Sequence, residues 1–70
     1  MSVEDQINCI KHKVYYLNEP TIQISALEML AAYGTHAIDA ITTIINSSTI
    51  SDKVKTHGLK VIEDIKKNLN

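Results

Sequence analysis

Several residue types that usually shape a small domain are scarce in this sequence. The 70 residues include one Cys, one Pro and two Gly, and they include no Phe, Trp or Arg. Because a disulfide needs two cysteines, an internal disulfide is excluded. Because Pro and Gly are the strongest breakers of regular structure, their scarcity favours helices.

A large charge of one sign and a long apolar run are also missing. The formal net charge is −1 at pH 7, which gives no overall attraction to nucleic acid or to an anionic membrane. The acidic N-terminus lacks the basic start and apolar run of a signal peptide. The longest uncharged run, Ala40 to Ser51, is too short and too polar to cross a bilayer. We therefore expect a cytoplasmic protein that does not contact membranes.

The chain is long enough for one domain, and the spacing of its apolar residues predicts four helices. Ser2 is placed to cap the first helix, which carries a narrow apolar stripe: Val3, Ile7, Ile10, Val14 and Leu17. Pro20 starts the second helix, and Gly34 ends it as a left-handed residue. Thr35 and Ser51 are expected to cap the third and fourth helices. The predicted helices span about residues 3–17, 20–33, 36–46 and 52–68 of a single all-α domain, residues 1–70.

The sequence contains an internal repeat. One face of the second helix carries Ile22, Ala26, Met29, Leu30 and Tyr33. The fourth helix repeats this set 32 positions later, with Val54, Gly58, Val61, Ile62 and Ile65. The first and third helices correspond at an offset of 31, which relates Ile7, Ile10 and Val14 to Ile38, Ile41 and Ile45. The sequence thus predicts two tandem copies of one helical hairpin, which is typical of helical repeat proteins.

The residues that carry the repeat resemble the short bacterial-type repeats of the HEAT family. Those repeats typically read Asp-Pro-x-Val-Arg-x-x-Ala, followed by Leu and Gly. This chain has Glu-Pro-Thr-Ile-Gln-Ile-Ser-Ala at residues 19–26, and a second version begins at Ser51. The resemblance extends to about Ile65. Gln23 and Lys55 stand where the family usually has Arg, and Gly58 replaces the small Ala.

The resemblance implies a HEAT-like α-α superhelix of two stacked antiparallel hairpins that acts as a scaffold or adaptor. The family motif is structural, so it brings no catalytic residues with it. From the residues alone, the same helices either stack as a short solenoid or close as a four-helix bundle.

The candidates for chemistry are few. Cys9 and His12 share one helix face, but zinc needs three or four ligands and the sequence places no others nearby. A Cys9 nucleophile would need a positioned base, which nothing in the sequence supplies. There is no Gly-rich phosphate loop or dinucleotide fingerprint. We therefore predict no metal, no cofactor and no enzymatic activity.

Lysines on the fourth helix give the main alternative function. Lys53, Lys60 and Lys67 recur every seven residues and so fall on one face, although Glu63 and Asp64 dilute their charge. The second and third helices superficially resemble a helix-turn-helix, but the third helix offers no Lys or Arg to DNA. The sequence therefore argues against nucleic-acid binding, and the alternative function is a small regulator or inhibitor that contacts nucleic acid through the lysine face.

Three tyrosines are candidate anchors of a protein interface: Tyr15, Tyr16 and Tyr33. The third helix is apolar over a wide arc, which indicates burial on more than one side. Two repeats supply few neighbours to bury it, since about three are usually needed for a stable stack. The sequence therefore predicts a protein-protein interaction module whose partner is another protein or a second copy of itself.

Overall fold

The structure is all-α, as predicted. The computed structural model describes residues 2–68, apart from the side chain of Tyr15, and these residues contain no strand. The four helices are α1 (Val3–Leu17), α2 (Pro20–Ala31), α3 (Ile38–Ile45) and α4 (Asp52–Lys67), and a 3₁₀ turn (Gly34–Ala37) precedes α3. The predicted domain also includes Met1, Leu69 and Asn70, which lie outside the described residues. None of the described helices has the length and apolar character needed to span a membrane.

Two of the predicted helix caps are found where expected. The Ser2 hydroxyl accepts a hydrogen bond from the backbone N–H of Asp5 at 3.2 Å. Ser51 has the extended backbone of an N-cap, with φ −70° and ψ 158°, but its side chain makes no capping hydrogen bond. The start of α1 is therefore capped by the side chain of Ser2, whereas the start of α4 has only the backbone conformation of Ser51 and the packing of the helix.

The junction between α2 and α3 differs from the prediction. Helix α2 ends at Ala31 rather than at residue 33, and Gly34 has the predicted left-handed conformation, with φ +62°. Thr35 was predicted to cap the third helix, and this is wrong: it lies inside the 3₁₀ turn. Ala37, which precedes α3, already has a right-handed helical backbone, so the turn runs directly into α3 with no extended residue to act as a cap.

Helices α1 and α2 form an antiparallel hairpin. Gln23, near the start of α2, bonds to the Val14 carbonyl near the end of α1. Tyr33, just after α2, bonds to Gln6 near the start of α1. Helices α3 and α4 form the second hairpin, in which the connection is short. The hairpins stack with α2 beside α4 and, less extensively, α1 beside α3.

The buried faces of α2 and α4 correspond at an offset of 31, not 32. The buried residues of α2 are Gln23, Ala26, Leu27 and Leu30, and those of α4 are Val54, Gly58, Val61 and Ile65. Three pairs lie 31 positions apart: 23 with 54, 27 with 58, and 30 with 61. The prediction that Met29 shares the core face is wrong, since Met29 is 53% exposed. Gln23, which was not part of the predicted face, is buried instead, and its amide donates a hydrogen bond to the Val14 carbonyl of α1.

Candidate interaction surfaces

The outer face of α1 carries a shallow, mostly apolar groove of about 490 Å³. Its lining side chains recur at helical spacing on one face: Cys9, His12, Lys13, Tyr16 and Leu17. Tyr16 is 89% exposed and Leu17 is 47% exposed. The opposite face of α1 packs into the core through Ile7, Ile10 and Val14. Helix α1 is thus apolar on two sides, and only one of them is buried within the chain.

The structure gives the predicted tyrosines different environments. Tyr16 lies in the groove of α1 with most of its ring in solvent. Tyr33 is half-buried against the core, and its hydroxyl donates a 2.8 Å hydrogen bond to Oε1 of Gln6. The side chain of Tyr15 lies outside the described part of the chain. Tyr16 is therefore the tyrosine whose exposure suits an interface, while Tyr33 joins α1 to the end of α2.

The groove also contains residues that sequence reasoning did not assign to an interface. Cys9 and Leu17 contribute to its apolar lining, and His12 and Lys13 bring polar groups to it. The signal that could have found them is a second set of positions three and four apart on α1, displaced from the stripe that packs into the core. This second pattern is weak in the sequence because two of its positions, His12 and Lys13, are polar.

The predicted lysine face of α4 is solvent-exposed. Lys53, Lys60 and Lys67 are all exposed, and the seven-residue spacing puts them on one side of the helix. Asp64, also exposed, lies between Lys60 and Lys67 on the same side, four residues after the first and three before the second. The positive potential of the face is therefore reduced at its centre.

A second, smaller cleft of about 330 Å³ lies between α1 and the α3 segment. Charges of both signs line it, from Glu4, Lys11, His36 and Asp39. Within residues 2–68, no group of three or more His, Cys, Asp or Glu side chains is placed to hold a metal ion.

His57 lies between the hairpins. Its Nε2 is 3.6 Å from Oε1 of Glu28 on α2, and Nε2 is buried without a hydrogen-bond partner. The side chain of Glu28 is 66% exposed, so water screens the pair strongly. The two side chains therefore lie beside each other where α2 meets α4, without a hydrogen bond between them.

Replacing Glu28 by Gln is expected to change the free energy of unfolding by less than about 0.5 kcal/mol, because its Oε1 is 3.6 Å from Nε2 of His57 and its side chain is 66% exposed to screening water. Urea denaturation at pH 7 measures the change, with Glu63→Gln on the exposed side of α4 as the matched control. A loss above about 1 kcal/mol in Glu28→Gln alone would show that the His57 contact is stronger than this exposure allows.

Comparison with known proteins identifies no relative. The chain matches none of the family models, curated proteins or solved structures with which it was compared.

Proposed function

We propose that the chain is a small, non-catalytic protein-protein interaction module of HEAT-like type that acts in the cytoplasm. The observation that carries this proposal is the 89% exposure of Tyr16 within the mostly apolar groove on α1. A tyrosine offers a partner a large, rigid apolar surface with one polar tip. Such residues dominate the binding energy of protein interfaces when a partner covers them.

The surroundings of Tyr16 support a protein as the occupant. Leu17 and Cys9 extend the apolar surface, while His12 and Lys13 place polar groups beside it. An apolar centre with polar groups at its margin is the usual composition of a protein interface. The groove is open and shallow, which suits a protein surface better than an enclosed small molecule.

The stacked hairpins support the HEAT-like part of the proposal. In a repeat stack, each hairpin contacts its neighbour through equivalent helices, as α2 with α4 and α1 with α3 do here. Most of the buried residues follow a period of 31 positions: two pairs relate α1 to α3 (10 with 41, 14 with 45) and three pairs relate α2 to α4. A rigid stack presents the outer face of α1 without the cost of ordering a loop on binding.

Replacing Tyr16 by Ala is expected to weaken partner binding about tenfold or more, which is the usual effect of removing a central aromatic anchor. The intact chain serves as bait in extracts of its native host, and the affinity of the captured protein is then measured for each variant. Thr56→Ala, on the exposed side of α4, is the matched control and should bind like the wild type. Equal binding by the Tyr16 variant would contradict the proposal. Circular dichroism should show both variants to be folded, since both positions are exposed.

The alternative, a regulator that contacts nucleic acid, rests on the three exposed lysines of α4. Because three phosphate contacts give only a shallow salt dependence and Asp64 opposes them, the chain is expected to leave a DNA column by about 0.1 M salt. Retention above about 0.2 M salt that is lost in the Lys53→Gln, Lys60→Gln, Lys67→Gln triple variant would favour the alternative instead.

A further inference from the structure

The five side chains of the α1 groove follow the spacing of a helix face that packs against another helix. Counted from Cys9, they lie at positions i, i+3, i+4, i+7 and i+8, which is the pattern of an apolar stripe covered by a neighbour. The inner stripe of α1, with Ile7, Ile10 and Val14, is buried in the core. The five groove residues are all exposed, so no helix of the described chain covers this second stripe.

Polar and apolar side chains have distinct places within the groove. At about 100° per residue, Tyr16 lies two turns along α1 from Cys9 and only about 20° around the helix from it. Midway between them, His12 lies about 60° to one side of Cys9 and Lys13 about 40° to the other. The groove is therefore an apolar line with an imidazole on one side and an ammonium group on the other.

The surroundings of the groove contain no acidic side chain to balance Lys13. Residues 9–18 include no Asp or Glu. Asp5 lies one turn before Cys9 and Glu19 follows the end of α1, and neither belongs to the lining of the groove. A partner with carboxylates beside an apolar ridge complements this arrangement, whereas a cationic partner would place a like charge opposite Lys13.

We propose that the groove binds an amphipathic helix of another protein, with an apolar ridge flanked by Asp or Glu. This inference rests on the proposed function and names the chemistry of its partner. Two apolar side chains seven residues apart cover the line from Cys9 to Tyr16. Carboxylates three and four residues after the first of them lie on the two sides of the ridge, where they accept hydrogen bonds from Lys13 and His12.

The groove suits a helix better than a strand or a membrane surface. Strand addition needs an exposed sheet edge, and residues 2–68 contain no strand. Anionic membranes are recognised by clusters of about four to eight basic residues, whereas one Lys and one His line the groove. Lys11 does not add to them, because it is half-buried and lines the cleft on the side of α3.

NMR titration of the isotope-labelled full chain with three peptides tests the proposal. Each peptide is an alanine-rich helix of about 18 residues, since shorter peptides are seldom helical in water. The first carries Leu at i and i+7 with Glu at i+3 and i+4, and the second moves both Glu to i+2 and i+5 on the opposite face. The third has Gln in place of the Glu of the first. Circular dichroism verifies that the three peptides have similar helix contents.

The first peptide should bind at least about threefold more tightly than the other two, because only its carboxylates face Lys13. The largest chemical-shift changes should fall on the groove residues of α1. The Lys13→Glu variant should bind the first peptide about tenfold more weakly than the wild type, because attraction becomes repulsion. Lys55→Glu makes the same charge change on the exposed side of α4 and should bind like the wild type. Circular dichroism of both variants verifies that they are folded.

Three results would overturn the proposal. The first is equal binding of the three peptides, or no binding by any of them at about 1 mM. The second is a set of groove shifts that depends on protein concentration without peptide, which would assign the groove to a second copy. The third is binding to vesicles of about 70% phosphatidylcholine and 30% phosphatidylserine, in place of the peptides, that is lost in Lys13→Glu.

The captured host protein separates failure of this inference from failure of the proposed function. If Tyr16→Ala weakens binding of that protein but Lys13→Glu does not, the groove binds a protein of different chemistry, so the acidic helix is overturned and the proposed function stands. If Tyr16→Ala leaves the binding unchanged, the proposed function is overturned as well.

Discussion

Replacing Gly58 by Ala is expected to lower the free energy of unfolding by about 1 to 2 kcal/mol. The sign is opposite to that of most Gly-to-Ala changes inside helices, which gain up to about 1 kcal/mol from helix propensity. For a domain of this size, the loss should lower the melting temperature by roughly 4–8 °C per kcal/mol. Thermal and urea denaturation measure it directly.

The reason is the close approach of the helices at Gly58. A Cβ at this position would overlap Cγ2 of Ile45, and it would also contact Leu27 and Ile41. Ile45 is 5% exposed. Its Cγ2 is bonded directly to Cβ, and a β-branched side chain in a helix has one strongly preferred χ1 rotamer. The clash therefore needs a shift of backbone or a strained rotamer, and its cost exceeds the gain in propensity.

A double-mutant cycle with Ile45→Ala isolates this clash. Ile45→Ala removes Cγ2 and is itself destabilising, but in that background Gly58→Ala should be neutral or stabilising by up to about 1 kcal/mol. Gly34→Ala is the control, because it should destabilise the protein for a different reason. Nothing lies within 4 Å of a Cβ built on Gly34, and the φ of Gly34 is +62°. Its cost comes from the left-handed backbone alone and should not depend on residue 45. Equal costs for Gly58→Ala in both Ile45 backgrounds would contradict the packing explanation.

The first helix was predictable from local sequence, and the register of the second was not. Helix α1 runs from Val3 to Leu17 as predicted, because a cap and a narrow apolar stripe are local signals. The stripe itself was predicted too long, since Val3 and Leu17 at its ends are 44% and 47% exposed and only its middle packs into the core. On α2, both Met29 and Leu27 are apolar, so periodicity alone allowed two faces. The choice was made by tertiary packing: Leu27 meets α4 near Gly58, and Met29 is left exposed.

The candidate surface was predicted only in part for a similar reason. Tyr16 was named from its residue type and is 89% exposed, and its place in an interface stays a prediction. Tyr33 was named on the same ground, but its hydroxyl is engaged by Gln6, a residue 27 positions away. Whether an aromatic residue faces a partner or its own chain depends on contacts between helices, which single-sequence patterns do not encode. The groove likewise needs the three-dimensional placement of Cys9 and Leu17.

Gln23 is expected to be the most sensitive polar position in the chain. It is 2% exposed, and its Nε2 donates to the Val14 carbonyl and to Oδ1 of Asn18, both at 3.3 Å. The amide uses both of its N–H donors to bind the end of α1. Asn18, at the turn between the helices, has a positive φ of 29°. One side chain on α2 therefore fixes both the last turn of α1 and the strained residue that follows it.

Replacing Gln23 by Glu should destabilise the protein by about 3 kcal/mol or more at pH 7. The change is nearly isosteric, but it replaces the donor with an anionic oxygen facing two acceptors in a site that water does not reach. Gln23→Met, which keeps the length of the side chain and carries no charge, should cost about 1–3 kcal/mol because the buried carbonyl of Val14 loses its partner.

The decisive measurement is which substitution, Gln23→Glu or Gln23→Met, lowers the free energy of unfolding more. Urea denaturation of both variants should give a larger loss for Glu than for Met, because the Glu variant adds a buried charge to the same missing hydrogen bonds. Lys55→Glu, at an exposed position near the start of α4, should change stability by less than about 0.5 kcal/mol. Equal losses for Glu and Met would mean that the carboxylate turns out to solvent, and the hairpin would then be held by apolar packing rather than by this amide.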